Sequence, residues 1–275
     1  MKRLLTGAVG IPIILAAVFL LRGWWFFAAM ALLFEGAVWE YAEIGRTHAP
    51  RAPLRLLLLL APAAAVALSF ALSECDDAGS LRLVLLAGPL LLSVGLGTVL
   101  LFSRTPLEEM LAALAFLGFG IPYLALPLSS LHLLQGIDPW VIVLLLGIVW
   151  GGDTAAFYVG SRIGRHKMAP VISPKKSWEG AAASFVVAVA AAAVWDVCRR
   201  GRLEPGLLAA AALTAVAAQI GDLVESMLKR SSGVKDSGSM LPGHGGMLDR
   251  VDALLFAAPV LLFGLWLLGM GAGPR

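Results

Sequence analysis

The sequence predicts an all-α, polytopic integral membrane protein of about nine transmembrane helices, with a polar cavity on its cytoplasmic face. Composition, segment length and the absence of strand-like alternation predict it. The 275-residue chain is 59% hydrophobic and only 14% charged, and its mean hydropathy is +0.87. A soluble domain carries about 25% charged and 45–50% apolar residues. This composition excludes a water-soluble globule, a disordered chain and a nucleic-acid-binding module. Nine apolar segments follow one another at 4–21, 24–44, 54–72, 81–102, 107–131, 138–161, 177–198, 206–228 and 251–271. None alternates as a barrel strand does, and most exceed the length of a buried core helix. A span takes about 20 apolar residues, so nine spans use about 180 and leave about 95 for loops and ends. That suits a single membrane domain over 1–275, with N-terminal helices in 1–150 and the polar chemistry in 151–275.

The elements justify themselves in order. Met1-Lys2-Arg3 opens the first apolar run, which continues to Leu21 and meets Trp24-Trp25-Phe26-Phe27 with no small-residue cleavage site, so the first span is expected to stay uncleaved. The second span contains Glu35, which either lines the cavity or pairs with a neighbour. Pro12, Pro62, Pro89, Pro122 and Pro127 fall inside spans, where they predict kinks. Trp24, Trp25, Trp39 and Trp140 sit near span ends, as an aromatic belt does. No internal repeat, separate soluble domain or long linker is evident. Cys75 and Cys198 have neither CxxC nor metal-ligand spacing and read as small apolar residues.

Basic residues set the orientation. With the N-terminus on one side, that side holds 15 of the 21 Lys and Arg. It is expected to be cytoplasmic. The loops 162–176 and 229–250 carry all of the bias, since without them the count is 6 to 6, and Arg199, Arg200 and Arg202 on the other side oppose it.

Two polar stretches interrupt the apolar chain. The first starts at Gly152-Asp153-Thr154 and ends in Ser173-Pro174-Lys175-Lys176-Ser177-Trp178-Glu179-Gly180; the second runs from Asp222 to Asp252. Two spans separate them, so parity places both on one face. Asp153 lies inside an apolar segment, where an unpaired carboxylate costs about 2.5 kcal/mol or more. It is therefore functional or salt-bridged to a neighbouring helix. Asp222, Glu225, Ser226 and Lys229 share one helical stripe. At the end of an apolar run that stripe must face a wet cavity or another polar surface. Asp249 and Asp252 form a second stripe at the start of the last span, where one acid, though less readily two, would serve the helix N-terminus.

Between the stripes stand Lys229, Arg230, Lys235, Asp236 and Pro242-Gly243-His244-Gly245-Gly246. Glycines let backbone N–H groups crowd an anion. Lys and Arg add charge, and Arg adds bidentate contacts. Mg²⁺ takes carboxylate oxygens and keeps several waters. The mixture points to metal-bound polyphosphate. Binding of anionic lipid headgroups would explain the bases but not the interleaved acids. His244 could touch phosphate, act as a general acid or fill the turn. Neither HExxH nor GxxxxGK[ST] is present, which argues against a zinc hydrolase and a P-loop NTPase.

The run Ser226-Met227-Leu228-Lys229-Arg230, then Lys235-Asp236, then Leu241-Pro242-Gly243-His244-Gly245-Gly246-Met247-Leu248-Asp249-Arg250-Val251-Asp252 spans 27 positions. It resembles the signature of the phosphatidate cytidylyltransferase (CDP-diacylglycerol synthase) family, with no departure at a charged position. Gly152-Asp153-Thr154 and the Ser173–Gly180 run resemble that family too, while Ala155-Ala156-Phe157-Tyr158 varies from its usual form. Residues 1–150 resemble it only in being apolar and multi-span. The resemblance implies transfer of cytidylyl from CTP to phosphatidate, with Mg²⁺ and room for a second cation, in a homodimer.

On that resemblance, Asp222 and Asp249 are expected metal ligands, with Asp252 and Asp236 as further ligands or orienters. Lys229, Arg230, Lys235 and Arg250 would neutralise CTP and pyrophosphate. Ser226 and the Gly243, Gly245 and Gly246 turn belong to the nucleotide site. Ser173, Lys175 and Lys176 would bind either nucleotide or lipid phosphate. Asp153 would contact the cytidine or hold a lysine. The competing readings are a CTP-dependent lipid kinase, a CDP-alcohol phosphotransferase and a transporter. The complete signature favours the cytidylyltransferase over the kinase. The Asp-Gly-x-x-Ala-Arg pattern of the phosphotransferases is absent. Transporters place polar groups near the midplane in repeated, broken helices, and here the charge collects in two same-side loops.

Overall fold

The computed structural model describes residues 2–73, 78–238, 240 and 245–270. Among them the helices run α1 (Lys2–Leu20), α2 (Trp24–Arg46), α3 (Leu57–Ser73), α4 (Ala78–Phe102), α5 (Leu107–Ile137), α6 (Pro139–Ile163), α7 (Trp178–Arg200), α8 (Pro205–Ser231) and α9 (Leu248–Leu267). They follow the apolar segments one for one. The protein is an all-α polytopic membrane protein. Six of the described helices are long and apolar enough to cross a membrane: α5 to α9, and α3 together with the 3-10 turn Leu54–Leu56 that precedes it. α2 has the length but carries Glu35, Glu40 and Glu43.

One departure from the all-helical expectation matters for the site. The polar loop after α6 folds into a hairpin, β1 (Lys167–Ala169) antiparallel to β2 (Ser173–Ser177). Gly164 ends α6, and Ser177 caps α7 by accepting a hydrogen bond from Gly180 N at 3.2 Å. Fixed at both ends, this short segment satisfies its backbone groups by pairing with itself.

α5 is the hub. It touches α2, α3, α4, α6 and α9, while α6 packs along α7 and α8 along α9. At 31 residues it runs past the predicted 107–131 segment and continues through Pro122 and Pro127. Its polar last turn is used. Gln135 Nε2 donates to the carbonyls of Val18 at 3.3 Å and Leu21 at 2.7 Å, satisfying backbone acceptors that the end of α1 leaves free. Tyr41 of α2, fully buried, donates from its hydroxyl to Phe116 O at 3.0 Å and ties α2 to α5.

The basic cluster that opposed the orientation is matched by acids. Arg199 pairs with Asp138 at 3.0 Å, Arg200 with Asp196 at 2.5 Å, and Arg202 stands 4.0 Å from Glu204. Asp138 also caps α6 through Trp140 N. Asp196 is fully buried and accepts from Glu204 N at 2.6 Å as well, which stitches the α7–α8 turn. Asp196→Ala therefore leaves the Arg200 charge uncompensated. A loss of about 3 kcal/mol is expected, read as a lower thermal midpoint of the detergent-solubilised protein.

Candidate active site

The two polar stretches meet at one end of the bundle, as parity required. β2 starts the connection. Lys175 is exposed, whereas Lys176 is half-buried and turns inward. Lys176 Nζ lies 2.7 Å from Asp222 Oδ2 and donates to Gln219 O at 3.3 Å. Ser173 is half-buried at the start of the same strand. Arg230, at the end of α8, donates from Nε to Ile172 O at 3.5 Å and from Nη1 to Val234 O at 3.2 Å. Its guanidinium thus bridges the hairpin turn and the loop that follows α8.

The α8 stripe divides into an open and a covered part. Asp222 and Ser226 are half-buried, and Ser226 Oγ donates to Asp222 Oδ1 at 3.4 Å. Glu225 is fully buried and Lys229 nearly so, because α9 lies across them. Lys229 Nζ is 2.6 Å from Glu225 Oε2 and donates to Asp249 Oδ1 on α9. Asp249 Oδ2 accepts from Gly246 N at 2.8 Å and from Ser237 N at 3.2 Å. The Gly246 amide is thus directed at a carboxylate of the protein itself, not outward as the glycine-rich turn suggested. Gly243 and His244 lie outside the described residues.

α8 and α9 approach closely at Gly221, where a Cβ would come within 2.6 Å of Asp252 O. That contact sets Asp252 beside Asp222. Asp252 lies within electrostatic reach of Asp222, Asp153 and Lys176, and Asp153 within reach of Asp222 and Lys176. Carboxylates from α6, α8 and α9 therefore share one region with a single lysine. Lys235, Asp236 and Arg250 are exposed at its margin. Among the described residues, neither Lys235 nor Asp236 has an ion-pair partner.

Excess carboxylate in a bundle end is costly without a compensating cation. The donors are all oxygen, which suits Mg²⁺ better than zinc. Among the described residues no three such side chains are grouped so as to hold a metal ion by themselves. An ion that keeps several waters and shares its shell with substrate phosphates needs no such group. Lys175, Arg230, Lys235 and Arg250 are exposed bases carried by the same two polar stretches.

Sequence reasoning singled out Glu35 on α2. It is half-buried, and among the described residues it has no ion-pair partner. The α2 acid that reaches the site is Glu40, which sequence reasoning missed. It is buried and accepts hydrogen bonds from Met247 N and Leu248 N. A second acid in an apolar segment was the available signal.

The chain matches the model of the Cytidylyltransferase family over residues 1–268. It is 35% identical over 277 residues to the phosphatidate cytidylyltransferase of Pseudomonas aeruginosa, covering 98% of each chain. It is 30% identical over 281 residues to that of Haemophilus influenzae, covering 94% of this chain and 96% of that one. Against that of Brucella suis it is 44% identical over 158 residues, 53% of this chain and 55% of the relative's length, so this match spans about half of each. Fold and matches together define a membrane-embedded nucleotidyltransferase. The chain belongs to the Cytidylyltransferase family.

The buried Glu225–Lys229–Asp249 group makes its own prediction. Lys229→Met strands the fully buried Glu225 and takes the cation from half-buried Asp249, and is expected to lower stability by about 3 kcal/mol. Adding Glu225→Gln removes the first of these charges, so the double variant should unfold later than Lys229→Met alone in a thermal or SDS titration. A double variant less stable than the single one would contradict the geometry.

Proposed function

We propose that this chain transfers cytidylyl from CTP to phosphatidate, giving CDP-diacylglycerol and pyrophosphate. The observation that carries the reading is the shared end of α6, α8 and α9, where Asp153, Asp222 and Asp252 lie around Lys176 and, further along α8, Lys229 pairs with Asp249. The curated relatives support it by name. A phosphate monoester oxygen of the lipid attacks the α-phosphorus of CTP; the bond from that phosphorus to the bridging oxygen breaks and pyrophosphate leaves. The nucleophile is already an anion at neutral pH, so no strong general base is required. The difficulty is to bring anions together.

The chain's residues meet that difficulty by exchanging partners. Lys176 and Lys229 are held by Asp222 and Asp249. When CTP enters, its phosphates take over these lysines, with Lys175, Lys235 and Arg250 at the margin, and the carboxylates are released. Asp222, Asp249 and Asp252 would hold Mg²⁺, with room for a second cation. The ion, when bound, supplies charge neutralisation at the transferring phosphoryl group. Arg230 keeps the hairpin turn against the end of α8, and Asp153 holds Lys176 or faces the base. Position at a membrane surface lets phosphatidate present its headgroup from the lipid phase. The positive-inside bias supports a cytoplasmic site in a bacterial inner membrane, and the resemblance supports a homodimer.

The test uses detergent-solubilised protein with phosphatidate, Mg²⁺ and CTP labelled in the cytosine or in the γ-phosphate. Cytosine label should enter the lipid phase while γ-label leaves as pyrophosphate. γ-Label on diacylglycerol, with cytosine label left aqueous in CDP, would make the protein a lipid kinase. Folded Asp222→Asn and Asp249→Asn variants should each lose about 100-fold or more in turnover. Chelation by EDTA should abolish turnover and added Mg²⁺ restore it.

A further inference from the structure

α2 belongs to the half of the chain that carries none of the signature, yet it ends inside the site. Glu40 is buried one residue before Tyr41, whose hydroxyl fixes this turn of α2 against α5. Its carboxylate accepts three hydrogen bonds from the signature segment: Met247 N on Oε1 at 3.0 Å, and Leu248 N at 2.8 Å and Ser237 Oγ at 2.7 Å on Oε2. Met247 and Leu248 open α9, so a buried negative charge sits where the helix leaves amide groups unpaired and its dipole is positive.

Asp249 completes a clasp from the other side. It takes Gly246 N and Ser237 N, while Glu40 takes the next two amides and the Ser237 hydroxyl. Three consecutive amides, 246 to 248, are thus occupied by carboxylates of the protein. The glycines here are spacers for that clasp. A Cβ at Gly246 would collide with Glu40 Oε2 and Ser237 Oγ, and a Cβ at Gly238 would lie 2.8 Å from Glu40 Cδ. Gly36, one turn earlier on α2, has Met240 Sδ and Met247 Cβ against it, at 2.9 and 3.2 Å from a built Cβ.

We propose that Glu40 is the positioning residue of the site: from α2 it ties the Ser237 turn to the start of α9 and so holds Asp249 against Lys229. Glu40 touches no reacting atom in this account. It acts through Asp249 and the 246–248 amides, and its catalytic consequence rests on the reading of the site given above.

Two measurements test it. Hydrogen exchange on ligand-free protein in detergent reads the clasp directly. Peptides containing Met247 and Leu248 should exchange about tenfold faster in Glu40→Ala than in wild type, as charged hydrogen bonds are lost. Kinetics then read the consequence: the Mg²⁺ concentration for half-maximal activity should rise about tenfold in Glu40→Ala, for the same loss. Glu40→Gln keeps the shape and one acceptor oxygen, so it should fall between wild type and Glu40→Ala in both readouts. Gly238→Ala, which pushes on the carboxylate without removing it, should change both in the same direction and covers the case in which Glu40→Ala does not fold. Unchanged exchange at 247 and 248 overturns the clasp. Faster exchange with an unchanged Mg²⁺ requirement overturns the positioning role. A wild-type protein that transfers no cytidylyl overturns the proposed reaction and with it this catalytic role, while the exchange result still decides the contact.

Discussion

Lys229 stands between two carboxylates, Glu225 on its own helix and Asp249 on the next, inside an otherwise apolar bundle. An ammonium in this position is tolerable only when paired, and each carboxylate needs it in turn. The close approach of α8 and α9 at Gly221, the turn that presents Ser237 and Gly246 to Asp249, and the reach of Glu40 from α2 all support this group. α5 holds α2 at the right depth through Tyr41, so the N-terminal half contributes to a site whose motif lies elsewhere.

The acids and bases divide the work by depth. Glu225 and Lys229 are covered, and through half-buried Asp249 they hold α8 to α9. Asp222, Asp252 and Lys176 are half-buried, and Lys175, Lys235 and Arg250 are exposed. Under the proposed function, a polyanion arriving from water would meet the exposed cations before the half-buried carboxylates. The opposite end of the bundle uses charge differently. There Asp138, Asp196 and Glu204 neutralise Arg199, Arg200 and Arg202 and lock helix ends.

The order of the helices was legible because most apolar runs exceed core length and are bounded by Gly, Pro or charge, although only six of the described helices are long and apolar enough to span, against the nine spans expected. The parity argument correctly brought Lys176 to Asp222, and the i, i+3, i+4, i+7 stripe was real. Its division was not legible, since only the crossing of α9 over α8 decides that Glu225 is covered and Asp222 open. The hairpin was missed because five-residue and shorter strands rich in Lys carry no hydrophobic alternation. Glu40 was missed for a different reason. Two of its three partners are backbone amides 207 and 208 residues away, and amides leave no mark in a sequence. The contacts of Arg230 with the carbonyls of Ile172 and Val234 were likewise not legible, since only the fold brings the first of these near.

The central claim is that the carboxylates at the shared end of α6, α8 and α9 hold a divalent ion together with CTP. Mn²⁺ binding followed by electron paramagnetic resonance tests it without turnover, with Mn²⁺ standing in for Mg²⁺ on detergent-solubilised protein. Wild type should bind Mn²⁺ more tightly with CTP than either component predicts alone, and a folded Asp222→Asn/Asp249→Asn variant should lose that gain. A folded double variant that binds Mn²⁺ and CTP as wild type does would contradict the account.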